Sequence, residues 1–175
     1  GTGRNERIHE FADVARVAEE QGFDHITLVD QPFMSRDVHV GATLAALNTR
    51  YIRIGHGVAD PVTFHPMTLA NATATLDELA RGRVFMGVGA GGPYGKMMTA
   101  PMRHQNYREA LLFMKRFMAG EEASYQGTVV RSEWIRGPVP LYIAAEGPLS
   151  LQLAGELGDG VMTMGAPPTW IKWKL

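Results

Sequence analysis

Four short segments of the sequence combine turn-forming residues with side chains that could bind a ligand. They are residues 30–33, 55–61, 87–93 and 144–148, and each follows an apolar stretch typical of a buried strand. Three of the four are rich in glycine, which lets backbone N–H groups approach a ligand closely. Because ligands bind beyond the carboxyl ends of parallel strands, these segments predict one shared site. For any single segment, an ordinary glycine turn between a strand and a helix is the alternative.

Two side chains in these segments could transfer protons. His56 lies between two glycines at a strand end, and imidazole titrates near neutral pH. Asp30 directly follows an apolar strand and could act as a carboxylate acid or base. We predict both as catalytic residues. The alternatives are that His56 is a loop histidine with local hydrogen bonds, and that Asp30 only binds the backbone of the turn that follows it.

Other catalytic and nucleotide-binding motifs are absent or incomplete. Gly87, Gly89 and Gly92 fit the letters of a G-x-G-x-x-G fingerprint, but the next predicted helix starts more than about ten residues later. A pyrophosphate needs a helix N-terminus directly after the glycines, so a dinucleotide-binding dehydrogenase ranks low. The chain has no cysteine, no G-x-S-x-G and no close histidine pair. These absences argue against a disulfide, a serine or cysteine nucleophile and a metal site.

The composition is that of a globular protein with a sizeable core. Hydrophobic residues make up 45% of the 175 residues and charged residues 20%. The net charge of -1 argues against a nucleic-acid partner. No apolar run approaches the roughly 18 residues of a membrane span, and the first residues do not resemble a signal peptide. We therefore expect a cytoplasmic protein with no membrane partner.

The elements that must position these residues alternate between strand-like and helix-like patterns. This order predicts an α/β fold with a parallel sheet and outer helices, either open or closed. Residues 121–137 lack a helical pattern and predict an excursion or a hairpin. Strands are expected near residues 25–29, 52–57, 84–88, 140–144 and 160–163.

Residues 65–91, HPMTLANATATLDELARGRVFMGVGAG, resemble the signature region of the luciferase-like flavin-dependent oxidoreductases. Two flanking blocks, VARVAEEQGFDHITLVDQPF and VPLYIAAEGPLSLQLAGELGDGVMT, are similar to the same family and occur in the same order. The family includes bacterial luciferase, FMN-dependent monooxygenases and deazaflavin-dependent reductases of the methylenetetrahydromethanopterin type.

The resemblance implies a (β/α)8 TIM barrel of the luciferase-like type. Such barrels rarely have fewer than about 200 residues, so residues 1–175 are interpreted as a single barrel domain that is incomplete in this chain. The first strand and the last strands of the barrel are not represented. The family also implies a homodimer or larger assembly, with the helices predicted at residues 7–21 and 38–47 as contact surfaces.

The resemblance also implies a cofactor, which is FMN or a deazaflavin coenzyme. Family members often carry an Asp-His pair facing the flavin, and here the corresponding residues are Asp30 and Gln31. This substitution makes His56 the candidate replacement for the missing histidine. A non-proline cis peptide at Gly57–Val58 would support the ring from behind. The implied cofactor-binding residues are Asp30, Gly57, Val58, Gly89, Ala90, Gly91, Ala145 and Gly147, the last two toward the ribityl phosphate.

The expected function is a flavin- or deazaflavin-dependent oxidoreductase, of the monooxygenase or the hydride-transfer type. The resemblance implies a small organic substrate and leaves open a separate flavin reductase as a partner. The alternative is a barrel that binds a flavin or another ligand without turnover. The glutamine at position 31 favours that alternative, because an amide cannot change its protonation state near neutral pH.

Overall fold

The computed structural model describes residues 7–91, 102–164 and 169. Within these residues the helices are α1 (Glu10–Glu20), α2 (Val38–Asn48), α3 (Pro66–Ala80), α4 (His104–Met118) and α5 (Pro148–Leu157). The strands are β1 (His25–Leu28), β2 (Arg53–His56), β3 (Val84–Val88), β4 (Ala123–Tyr125), β5 (Thr128–Val130), β6 (Leu141–Ala144) and β7 (Gly160–Met162). None of the helices in this part of the chain is both long and apolar enough to span a bilayer.

The main sheet has the strand order β1-β2-β3-β6-β7, and every neighbouring pair is parallel. This confirms the five predicted strands and their direction. The spatial order follows the chain order, whereas a doubly wound sheet reverses its order at a switch point. The arrangement is therefore that of a barrel wall. β4 and β5 form a separate antiparallel pair, which confirms the hairpin predicted within residues 121–137.

The pleat of the sheet separates two faces with different neighbours. Ile54, Met86 and Leu141 are fully buried on the face that packs against the helices. On the opposite face, the Phe85 ring lies 5.1 Å from the Tyr142 ring, measured between centroids. Phe85 also fills the space beside Gly55, where an added Cβ would collide with the ring. The face of the sheet on which a side chain lies therefore determines whether it packs against the helices or points into the barrel interior.

The amino ends of β2 and β3 are fixed by the buried side chain of Glu19 and the half-buried side chain of Arg83. Glu19, near the end of α1, accepts hydrogen bonds from the N–H groups of three successive residues, Arg50, Tyr51 and Ile52, at 2.7–3.0 Å. Burial acts to raise the pKa of Glu19, but these three donors outweigh it and the pKa is lowered. Arg83 donates to carbonyl oxygens of Ala46, Thr49, Ile52 and Ala80. Because the amino ends of β2 and β3 are held in place, the register of these strands is fixed, and so are the positions of their carboxyl ends.

Candidate active site

The segments that follow β1, β2 and β3 are joined by backbone hydrogen bonds at one edge of the sheet. The Gly57 N–H donates to the Leu28 carbonyl at 2.8 Å. The Ala59 N–H donates to the Gly87 carbonyl at 2.8 Å, and the Gly89 N–H donates back to the Ala59 carbonyl at 2.9 Å. The segment after β2 is thus held between its two neighbours. The structure brings together the strand ends that the sequence pattern placed at one site.

The Gly57–Val58 peptide bond is cis, as the family resemblance implied. The Val58 side chain that follows it lies against Gly89, where an added Cβ would be 2.9 Å from Val58 Cγ2. The Ala144 Cβ is 3.7 Å from the same position. Val58, Gly89 and Ala144 therefore form a small apolar surface drawn from the ends of β2, β3 and β6.

Gly57 and Gly89 serve strand packing at this edge, and their N–H groups are not free donors to a ligand. A Cβ added to Gly57 would lie 2.6 Å from the Thr27 Cβ, so only glycine lets these strand ends approach. The N–H groups of Gly57 and Gly89 are both used in the interstrand hydrogen bonds described above. This corrects the expectation that these N–H groups approach the cofactor.

Asp30 is the acidic group with the most perturbed titration at this edge. Burial raises its pKa to about 6, and the charges of Asp60 and Asp37 add to the effect, while a hydrogen bond from the Asp60 N–H opposes it. The Oδ2 atom of Asp30 is buried and has no hydrogen-bond partner among the described residues. A carboxyl group with a pKa near physiological pH and one unpartnered oxygen is suited to proton transfer.

Asp60 is a second buried acid at this edge and was not among the residues selected from the sequence. It is buried, with 9% of its surface exposed, and its Oδ1 accepts a hydrogen bond from the Val62 N–H at 2.8 Å. Burial also raises the pKa of Asp60. The position of an added Cβ on Gly91 is 3.6 Å from Asp60 Oδ2. The sequence signal that could have indicated Asp60 is an Asp-Pro pair shortly after a strand. It lies in the same segment as His56, which was the residue selected there.

The model of the luciferase-like monooxygenase family matches residues 1–175. The chain belongs to this family. The chain is 33% identical to a 5,10-methylenetetrahydromethanopterin reductase of Archaeoglobus fulgidus over 172 residues, which cover 93% of this chain and 51% of the relative. It is 37% identical to an F420-dependent glucose-6-phosphate dehydrogenase of Beutenbergia cavernae, with 82% and 49% covered. The chain thus spans about half the length of the curated relatives it matches.

The solved structures of similar fold include an F420-dependent secondary alcohol dehydrogenase in complex with an F420–acetone adduct. The two structures superpose with a TM-score of 0.79 at 25% identity, over 95% of this chain and 57% of the other. Together with the parallel strands in chain order, this similarity confirms the predicted α/β barrel of the luciferase-like type.

The structure does not bring the His56 side chain to the site, contrary to the expectation drawn from the family. Gly55 and Gly57 face Phe85 and Thr27, so His56 points to the opposite, helix-covered face. Its ring centroid is 5.3 Å from that of His39 in α2, and only 1% of its surface is exposed. Burial, with a smaller contribution from the charge of His39, lowers the pKa of His56 to about 3. His56 is therefore neutral at physiological pH, and of the two predicted catalytic residues we retain only Asp30.

The other predicted cofactor residues of this luciferase-like chain lie along the same edge. Ala90 is exposed after β3, while Ala145 is buried after β6 and donates its N–H to the Met162 carbonyl at 3.0 Å. Gly147 directly precedes α5, and its N–H donates to Ser150 Oγ at 3.2 Å. Gly92, the last glycine of the G-x-G-x-x-G pattern, is outside the described residues.

Two cavities in the described part of the chain lie away from this edge. One of about 270 Å³ lies between the β4–β5 hairpin and the neighbouring helices, where His65, Phe113 and Tyr125 line it. The other, of about 360 Å³, lies near the amino end of β3, beside Arg81 and Trp134. Neither contains a predicted site residue.

The setting of His56 predicts a specific dependence of stability on pH. The unfolded imidazole, with a pKa of about 6.5, binds a proton as the pH falls, whereas the folded one does not until about pH 3. The contribution of His56 to the free energy of unfolding is therefore complete above pH 6.5, and it is lost as the pH falls below that value. We expect His56→Leu to reduce this loss, by up to about 1.4 kcal/mol per pH unit between pH 6.5 and 4.5.

The measurement is the free energy of unfolding in urea at several pH values, for the wild type and the His56→Leu variant. His9→Leu, at an exposed position, is the matched control and should keep the pH dependence of the wild type. Parallel curves for the wild type and His56→Leu would show that His56 is not buried in its neutral form.

Proposed function

We propose that the protein is an oxidoreductase that uses coenzyme F420 to transfer a hydride to or from a small organic substrate. The observation that carries the proposal is the buried, unpartnered Oδ2 of Asp30, which follows β1 at the same sheet edge as the apolar surface of Val58, Gly89 and Ala144. The names of two relatives with more than 30% identity, a methylenetetrahydromethanopterin reductase and an F420-dependent dehydrogenase, support the choice of this reaction class. Because the chain covers half of these relatives, the activity of the whole protein is part of the proposal.

The residues at the strand ends are of the kinds that a planar, largely apolar ring requires. Val58, carried by the cis peptide, and Gly89 would lie against one face of the ring, with Asp30 at its edge. Ala145 and Gly147 would lie toward the phosphate end. When bound, the coenzyme supplies the two electrons as a hydride, and the protein supplies position and polarity.

Asp30 would supply or accept the proton that must accompany the hydride. In the direction of reduction, the O–H bond of the protonated Asp30 breaks and the proton passes to the substrate heteroatom whose neighbouring carbon receives the hydride. In the direction of oxidation, the same carboxylate accepts the proton of the substrate hydroxyl or amine. A pKa of about 6 leaves both forms of Asp30 accessible near neutral pH, so it can serve in either direction.

A flavin-dependent monooxygenase is the second candidate, because the matching family model describes monooxygenases. Equilibrium titration of the purified protein with oxidised F420 and with FMN separates the two. We expect F420 to bind at least about 10-fold more tightly, and a bound substrate alcohol to bleach its absorbance as the coenzyme is reduced. Tighter binding of FMN, with oxygen consumption on reduction, would contradict the proposal in favour of the monooxygenase.

The same titration tests the alternative of a binding protein without turnover. F420 that binds tightly but keeps its oxidised spectrum with a panel of alcohols, aldehydes and sugar phosphates would support that alternative. Assembly as a homodimer or larger species, suggested by the family resemblance, also remains a proposal that light scattering on the same sample can test.

The contact between Val58 and Gly89 gives a prediction about the cofactor surface. In Gly89→Ala the new Cβ would lie 2.9 Å from Val58 Cγ2, so the Val58 side chain must move. Such overpacking costs about 1–3 kcal/mol, and we expect the affinity for F420 to fall by about 10-fold or more. The double variant Gly89→Ala with Val58→Ala removes the clash and should recover most of the affinity.

Gly155→Ala is the matched control, since an added Cβ at this position in α5 meets no atom within 4 Å. It should leave the affinity for F420 unchanged. An unchanged affinity in Gly89→Ala as well would remove Val58 and Gly89 from the proposed cofactor surface.

A further inference from the structure

We propose that Ser35 is a positioning residue for Asp30, because its hydroxyl group fixes the two peptide groups on either side of Asp30. The inference rests on the proposed function, since it assigns a role within the same proton transfer. It concerns a residue that neither the glycine-rich segments nor the family resemblance singled out.

The backbone of Asp30 lies beyond the end of the parallel sheet. β1 ends at Leu28, whose carbonyl accepts a hydrogen bond from the Gly57 N–H. Asp30 follows two residues later and begins a loop in which Pro32 and Phe33 are exposed. Loops are more mobile than the strands they follow, whereas a group that transfers a proton must keep its geometry. The position of Asp30 therefore needs a restraint that the sheet does not supply.

The Ser35 hydroxyl group supplies this restraint on both sides of Asp30. Ser35 Oγ lies 3.0 Å from the Val29 carbonyl oxygen, and it accepts a hydrogen bond from the Gln31 N–H at 3.2 Å. The Val29 carbonyl belongs to the peptide group before Asp30, and the Gln31 N–H belongs to the peptide group after it. Because peptide groups are planar, φ and ψ of Asp30 are the only soft rotations between these two planes. One hydroxyl group therefore restrains both angles, and with them the direction of the Asp30 side chain.

The single proton of the Ser35 hydroxyl group is directed to Val29. Ser35 Oγ also lies 3.0 Å from the Gln31 carbonyl oxygen. That oxygen already accepts hydrogen bonds from the N–H groups of Met34 and Ser35, at 2.8 Å each. A carbonyl oxygen has two lone pairs, so these two donors satisfy it. The hydroxyl group therefore donates to the Val29 carbonyl and accepts from the Gln31 N–H, which closes the loop around Asp30.

The restraint matters because the proposed reacting atom is held by no partner of its own. Asp30 Oδ2 is buried, and no group among the described residues forms a hydrogen bond with it. The place of this oxygen therefore depends on how the rest of the residue is held. A displacement of about 1 Å can lower the rate of a reaction by about 100-fold. Loss of the Ser35 hydroxyl group would leave the acid in the protein but release it from its position.

The alternative role for Ser35 is to stabilise the turn alone, since serine hydroxyl groups often bind nearby backbone groups in turns. Ser35→Ala removes the hydroxyl group, whereas Ser35→Thr keeps it. Thr43→Ala is the matched control. Thr43 is half-buried like Ser35, and its hydroxyl group donates to the His39 carbonyl at 2.8 Å within α2. The control therefore loses a comparable hydrogen bond while the loop around Asp30 stays intact.

The direct test is the backbone 15N order parameter of Asp30, measured by NMR without coenzyme or substrate. We expect a rigid value of about 0.85 in the wild type, in Ser35→Thr and in Thr43→Ala, and a fall toward about 0.6 in Ser35→Ala. An order parameter that does not change in Ser35→Ala would overturn the inference. An equal fall in Thr43→Ala would assign the effect to a general loss of stability, and would overturn it as well.

Turnover with reduced F420 tests the same claim in the reaction. Ser35→Ala should lower kcat by about 10- to 100-fold, because the acid is present but misplaced. The KM for reduced F420 should stay within about 2-fold, since the hydrogen bonds of Ser35 lie within its own loop. Ser35→Thr should recover most of the lost kcat, and Thr43→Ala should keep the wild-type value.

The kinetic outcomes separate this inference from the proposed function. F420 turnover with an unchanged kcat in Ser35→Ala, or with an equal loss in Ser35→Thr, would overturn this inference alone. An absence of F420 turnover in the wild type would overturn the proposed function, and the inference with it.

Discussion

The geometry of the site depends on how closely the segment after β2 fits between β1 and β3. Hydrogen bonds from the Gly57 and Ala59 N–H groups hold this segment on its two sides, and a Cβ at position 57 would collide with Thr27. Val58 lies against Gly89, and the chain then continues to the buried Asp60. The apolar surface and the position of Asp60 are therefore consequences of one close strand contact.

Burial has opposite effects on the two groups that could have carried the proton. Loss of solvent favours the uncharged form, so it raises the pKa of Asp30 toward neutrality and lowers the pKa of His56 far below it. The pleat separates them, since His56 lies on the helix side of β2 and Asp30 lies at the strand ends. In our proposal, Asp30 with its raised pKa therefore takes the place of the histidine that is missing at position 31, and His56 does not.

Much of the fold could be predicted from the sequence, because parallel strands and their helices leave strong local patterns. The five strands, their direction and the hairpin before β6 followed from apolar runs and turn residues, and the cis bond at Gly57–Val58 followed from the family resemblance. The face on which His56 lies did not, because flanking glycines hide the alternation that assigns a side chain to one side of a strand. Asp60 was missed because an exposed Asp-Pro turn and a buried acid have the same local sequence, and only the burial of Asp60 in the folded chain distinguishes them.

The central claim, that F420 binds at the carboxyl ends of the strands beside Asp30, is tested most directly by mapping its binding on backbone amide signals. Oxidised F420 would be titrated into the 15N-labelled protein and the perturbed amides assigned. The account predicts that the largest changes fall on Asp30, Val58, Gly89 and Ala145, while the amide of His39, behind the sheet, changes little. Changes concentrated around the hairpin cavity at His65 and Tyr125, with none at the strand ends, would contradict it.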